Sequence, residues 1–191
     1  MNVNEADFLS HYQQFTDKTA QYPQGMVYVT LGLVGELGEL KQKLEELDSD
    51  ASLSEEEKSG IAGEAGDVFW YVARACQELE LPLGMILGHA FMGPGAPKKG
   101  ECGSEVHYRG FNSSDGWVDV CALAENTKKL VRDGKPIDHT VALNALISSV
   151  RMTAALCFRS GIDPMQAMSK NMDKLSSRLE RGVIKGDGDR R

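Results

Sequence analysis

MVYVTLGLVGELGELKQKLEEL, residues 26–47, decides the fold. Val27, Leu31, Val34, Leu37, Leu40, Leu44 and Leu47 recur in steps of three and four, the period of an amphipathic α-helix. Met26 to Val29 is the only β-friendly run in the chain, and the leucine period overrides it. Upstream, Phe8, Tyr12, Phe15 and Thr19 predict a first helix over 5–20, ended by Pro23 and Gly25. Downstream, 48–52 reads as a turn, and Ser54 with Glu57 forms a capping box that opens a third helix through Ile61, Val68, Val72 and Leu79. Pro82 starts a shorter helix through Met85 and Ile86. Helix resumes at about Trp117 and ends near Arg132, with Gly134 as a left-handed cap. Val141, Ala145, Val150 and Cys157 mark another helix, stopped by Gly161. Asp163 and Pro164 open the last one, which runs to about Arg181. The expectation is an all-α bundle, one domain over 1–191. Residues 93–116 hold six glycines and two prolines without periodicity and read as a glycine-rich insertion loop; 182–191 reads as a flexible tail.

Composition narrows the function. The 191 residues are 41% hydrophobic and 26% charged, enough for a packed core. A net charge of −7 argues against nucleic acid and against an anionic membrane surface as partners. The longest apolar-rich run, 26–35, covers 10 residues, whereas a spanning helix needs roughly 20. The opening MNVNEADFLS lacks the basic and apolar blocks of an export signal, so a cytoplasmic location is expected. Cys76, Cys102, Cys121 and Cys157 have no CxxC spacing and read as reduced thiols.

The acidic residues carry the chemistry. Glu36 and Glu39 lie three apart on one helix face, and Glu64 and Asp67 lie three apart on the next helix. If those helices pack antiparallel, four carboxylates converge, and their mutual repulsion is removed by a divalent cation. Hard oxygen donors favour Mg²⁺ or Mn²⁺ over Zn²⁺. The competing reading is ordinary helix-surface charge, with Glu39 paired to Lys43 at i+4. Gly32, Gly35, Gly38, Gly63 and Gly66 flank the acids, although glycine inside a helix costs about 1 kcal/mol against alanine. They suggest that a helix or a ligand approaches closely. A di-iron bundle would need Glu-x-x-His, and none of the four histidines follows a glutamate by three.

LGLVGELGELKQKL followed by GEAGDVFWYVA resembles the MazG-like, all-α nucleoside triphosphate pyrophosphohydrolases. Their Glu-x-x-Glu, gap, Glu-x-x-Asp pattern falls on Glu36, Glu39, Glu64 and Asp67. Thr19 to Pro23 resembles the segment before this helix in small and phage-type members, and Asn171-Met-Asp-Lys174-Leu-Ser-Ser-Arg178 resembles their Asn-x-x-Lys-Leu-x-x-Arg segment. The similarity spans about 8–91 and 117–191. Many members carry a further glutamate where this chain has Gly35, which leaves the number of metal ions open.

The resemblance implies Mg²⁺-dependent cleavage of a nucleoside or deoxynucleoside triphosphate into monophosphate and pyrophosphate, with Mn²⁺ as a possible substitute. It implies Glu36, Glu39, Glu64 and Asp67 as metal ligands, with Glu39 or Glu36 taking a proton from water. Asn171, Lys174 and Arg178 would meet the phosphates. Trp70 could stack on the base or lie in the core beside Phe69 and Tyr71, with core favoured; Tyr22 is a second base-side candidate. A homodimer or homotetramer is expected, with the long second helix in its interface, in the cytoplasm of a bacterium or of a host cell if phage-encoded. The alternative is a non-catalytic helical nucleotide-binding or regulatory module. Lys128, Lys129, Arg132 and Lys135 read first as a solvated helix end. Cys102 and His107 are too few for a structural zinc site. Finally, LGELKQKL at 37–44 faintly repeats as LAENTKKL at 123–130, which matches Glu39 to Glu125 and Glu64 and Asp67 to Leu146 and Ser149. If the repeat is real, the second half is scaffold.

Overall fold

The computed structural model describes residues 3–23, 25–45, 53–92 and 113–184. Seven helices account for nearly all of them, with no strand among the described residues: α1 (Val3–Thr19), α2 (Met26–Glu45), α3 (Glu55–Glu78), α4 (Leu83–Met92), α5 (Ser113–Asp133), α6 (His139–Arg159) and α7 (Pro164–Glu180). The all-α expectation holds. The insertion-loop reading falls mostly on 93–112, outside the described residues, as do Cys102, His107, Leu47 and the tail from 185. Residues 113–116 are a correction: they form the first turn of α5, one turn before Trp117. That turn carries no apolar period, so periodicity could not place it.

The caps explain the boundaries. Ser54 Oγ accepts from the Glu57 amide at 3.2 Å and Glu57 Oε2 accepts from the Ser54 amide at 2.7 Å, the reciprocal box read from the sequence. Asp138 caps α6 through the amides of Thr140 and Val141, and Asp163 caps α7 ahead of Pro164. Gly161 takes φ +70° after α6, letting the Ile162 amide reach back to the Cys157 carbonyl at 2.8 Å. After α3 the same turn is made by Glu80 at φ +55°, with Leu81 donating to the Cys76 carbonyl at 2.7 Å. A side chain there is strained.

One hydrophobic cluster runs through all seven helices, from Leu9 and Val29 through Phe69, Leu87 and Leu123 to Leu146 and Met168. Each such fully buried aliphatic or aromatic side chain contributes on the order of 2 kcal/mol. The central element is α3, packed against α1, α2, α4, α6 and α7. Helix α6 is long and apolar enough to cross a membrane, with mean hydropathy 1.6 over its most apolar stretch, but 56% of that stretch is buried inside the protein. Leu33, Leu37 and Leu40 of α2 point into the same core, while Leu31 stays 70% exposed. The buried face of α2 is therefore Met26, Val29, Leu33, Leu37 and Leu40; of the expected stripe Leu37 and Leu40 lie in the core, Val27 and Val34 are half-buried and Leu31 faces solvent.

Candidate metal centre

Helices α2 and α3 pack antiparallel. Close approaches link Gly25 to Glu78, Gly32 to Tyr71 and Gly60 to Lys43 in that order. This register places Glu36 opposite Glu64 and Asp67. One carboxylate oxygen from each of the three lies within 4.8 Å of the other two. Glu64 is buried, and Glu36 and Asp67 are half-buried. Glu39 is exposed and stands outside this triad. The structure thus brings together three of the four acids read from the sequence.

Two of the five flanking glycines are there for helix packing. A β-carbon on Gly66 would stand 2.8 Å from the Ala167 carbonyl oxygen and 2.8 Å from Asn171 Cβ, so α7 lies directly against α3. A β-carbon on Gly32 would enter the Tyr71 ring. Gly35, Gly38 and Gly63 have nothing within 4 Å of that position. Beside the acids, then, one set of glycines admits a neighbouring helix and the other leaves open space.

Close packing of α7 brings its polar residues to the acids. Asn171 Nδ2 donates to Asp67 Oδ1 at 2.6 Å, and Lys174 Nζ donates to Asp67 Oδ2. Asn171 is 1% exposed, and its Oδ1 has no hydrogen-bond partner among the described residues. Such an orphan is costly in a folded interior. Lys43 does not pair with Glu39; it crosses to α3 and donates to Glu64 Oε1 at 2.6 Å. Two ammonium groups thus offset part of the repulsion. The remainder falls on Glu36, whose carboxyl is pushed up to about 8 by burial first, then by Asp67, Glu39 and Glu64, with Lys174 opposing. Glu39 is therefore near enough to act on Glu36 without joining the triad. The donors are hard oxygens with no imidazole or thiolate among them, and a buried amide oxygen stands unused alongside. Those features fit Mg²⁺ or Mn²⁺.

The aromatic candidates form one wall. Trp70 is buried, with Nε1 donated to Thr19 Oγ1 at 2.9 Å, and it meets Tyr22 and Tyr71 edge-on at 6.1 and 4.9 Å. Tyr22 stacks flat on the exposed Tyr28 at 4.7 Å. Its hydroxyl accepts from Arg74 Nε at 2.9 Å and donates to Glu78 Oε1 at 2.8 Å, and burial is the main cause that lifts it to about 12. Arg74 is itself paired with Asp17. Arg178 is buried on α7, one turn beyond Lys174. Lys128 and Lys129 pair with Glu125, and Arg132 pairs with Asp133, as a solvated helix end would. Sequence reasoning missed Lys43, Lys170, Tyr28 and Tyr71. For Lys43 a signal existed: it lies seven residues after Glu36, on the same helix face.

No known family's sequence profile matches the chain, and no solved structure does. Over 85 residues it is 36% identical to the Gene 37 protein of Mycobacterium phage L5, an alignment covering 39% of this chain and 75% of that protein. On identity at that level over three quarters of the relative, the chain belongs to the family of the Gene 37 protein of Mycobacterium phage L5.

Proposed function

We propose that this protein is a MazG-like hydrolase that cleaves a nucleoside or deoxynucleoside triphosphate to the monophosphate and pyrophosphate, in control or sanitisation of the cytoplasmic nucleotide pool. The observation that carries the reading is the convergence of Glu36, Glu64 and Asp67 within 4.8 Å beside Lys174. These three carboxylates would hold Mg²⁺ or Mn²⁺. Bound there, the ion supplies Lewis acidity towards the phosphoryl oxygens and neutralises the triphosphate.

The remaining roles belong to the chain. Glu39, exposed beside Glu36 and outside the triad, takes the proton of the attacking water. Water oxygen bonds to the α-phosphorus, the α–β anhydride bond breaks, and pyrophosphate leaves. Asn171 and Lys174 orient Asp67, and Lys174 with Arg178 offsets phosphate charge. Tyr22 and Trp70 form the aromatic wall on the base side. Tyr28 and Leu31 lie exposed along α2 and would seat a second copy in a homodimer or homotetramer; sedimentation showing a monomer at micromolar concentration would refute that assembly.

One observation favours a second reading. Lys43 and Lys174 already neutralise Glu64 and Asp67, an arrangement that also suits a non-catalytic nucleotide-binding module. Pyrophosphate release, coupled to inorganic pyrophosphatase and run over the eight common NTPs and dNTPs with Mg²⁺, separates the two. Turnover on at least one nucleotide is expected. Nucleotide binding without turnover on any of them supports the module.

A further inference from the structure

The acid cluster has a basic edge. Lys43 crosses from α2 over Gly60, where an added β-carbon would stand 3.4 Å from its Nζ, to reach Glu64 Oε1 at 2.6 Å. Lys170 on α7 donates to the Ser59 carbonyl oxygen at 2.7 Å and to the Ser59 hydroxyl. One turn further along α7, Lys174 holds Asp67. Three ammonium groups from two helices thus meet α3 along residues 59–67. They are close enough that Lys174 and Lys43 add to the burial that lowers the proton affinity of Lys170. Lys43 and Lys174 meet carboxylates there, and Lys170 meets neutral oxygens. A metal–triphosphate complex has the complementary polarity, with the cation on one side and terminal phosphates on the other.

Lys43 sits where those two halves meet. Its side chain is 35% exposed while that of Glu64 is 10% exposed, so the lysine is the partner nearer solvent. A dication on Glu64 repels the ammonium on the same carboxylate, and a part-exposed ion pair holds it only weakly.

We propose that Lys43 is a displaceable counter-ion: without metal it neutralises Glu64, and when a divalent ion takes that carboxylate the ammonium is released to bind the terminal phosphates together with Lys170 and Lys174. This rests on the triphosphate reading above and adds a residue and a movement to it. The two duties of Lys43 have opposite signatures. Removing its charge removes a competitor of the ion and also removes a phosphate contact.

The test uses Lys43→Met, with Lys43→Gln as a second variant, in the full chain. Mn²⁺ alone is titrated by calorimetry without nucleotide, and steady-state kinetics follow on the preferred triphosphate. Both variants should bind Mn²⁺ about 2–5-fold more tightly, the scale of a part-exposed ion pair. Both should raise KM about tenfold, the scale of one charge-assisted phosphate contact, with kcat changed by less than about threefold. A residue that merely packed α2 on α3 would weaken both. Unchanged or weaker Mn²⁺ binding in the variants, or an unchanged KM, overturns the role of Lys43 and leaves the metal centre standing. Failure of the unaltered protein to bind Mn²⁺ overturns both.

Discussion

The α2–α3 pair and the α5–α6 pair are two packed helix pairs with different interiors. Each is a helical hairpin whose first helix carries the related segments 37–44 and 123–130, and the two are tied together by a buried hydrogen bond between Thr30 and Thr127 at 2.9 Å. In the first pair the facing positions are Glu36, Glu64 and Asp67, gathered within 4.8 Å. In the second, the positions matching Glu64 and Asp67 are Leu146 and Ser149, both 0% exposed, with the Ser149 hydroxyl satisfied by the Ala145 carbonyl at 2.7 Å. Glu125, the counterpart of Glu39, is spent on Lys128 and Lys129, which hold its carboxyl below the usual range. The second hairpin is filled for packing. The first gathers carboxylates there, with Lys43 and Lys174 on two of them.

The sharpest contrast comes from substituting matched positions. Asp67→Asn should lower turnover by about 10²-fold or more, since a metal ion supplies several kcal/mol and each ~1.4 kcal/mol is tenfold. Leu146→Ala, at the position that matches the neighbouring Glu64, should instead cost about 2–5 kcal/mol of stability, with turnover per folded molecule unchanged. Urea denaturation and pyrophosphate release on both proteins check the pair. Equal effects on both readouts would erase the distinction between the hairpins.

Gly66→Ala should cost about 1–3 kcal/mol, because its β-carbon would press α7 off α3. Activity should fall with it, as Asn171 and Lys174 move from Asp67. Gly35→Ala, with nothing within 4 Å, should gain up to about 1 kcal/mol of helix stability. Thermal melts of the two variants give opposite signs if the glycines serve packing and access respectively.

The pH dependence follows from Glu36. Its carboxyl sits at about 8 in the folded protein against an ordinary 4.5. Between those values the native state keeps a proton that the unfolded chain has released. Metal-free stability should therefore fall as pH rises from about 4.5 to about 8. Glu36→Gln should melt higher than the parent in EDTA at pH 8.5, with the gap shrinking towards pH 5. A gap that stays constant with pH would mean that Glu36 is not the strained group. The smallest effect is away from both hairpins' facing sides: Glu80→Gly should stabilise by about 1 kcal/mol, by relieving the left-handed turn.

The legible part of this chain was what local rules fix. The helical period of α2, the Ser54–Glu57 box and the Asp163–Pro164 start are each set by neighbours in sequence and each appears where expected, although α2 buries Leu33 and leaves Leu31 exposed. Three of the four acids met because two helices with i, i+3 pairs share one antiparallel interface. Less legible was anything that depends on how far each helix is rotated. That rotation leaves Glu39 on the rim and brings Lys43 to Glu64. Trp70, by contrast, lies buried as favoured, with its indole nitrogen on Thr19. The start of α5 escaped for a different reason, since Ser113 to Gly116 carry no apolar period to read.

The central question is whether one ion sits among three carboxylates. Crystals grown with Mn²⁺ and measured at a wavelength where manganese scatters anomalously test this directly. The predicted result is an anomalous peak within coordination distance of Glu36, Glu64 and Asp67, absent from crystals of Asp67→Asn. An empty cluster in the presence of millimolar Mn²⁺, with Lys43 and Lys174 still on Glu64 and Asp67, would contradict it.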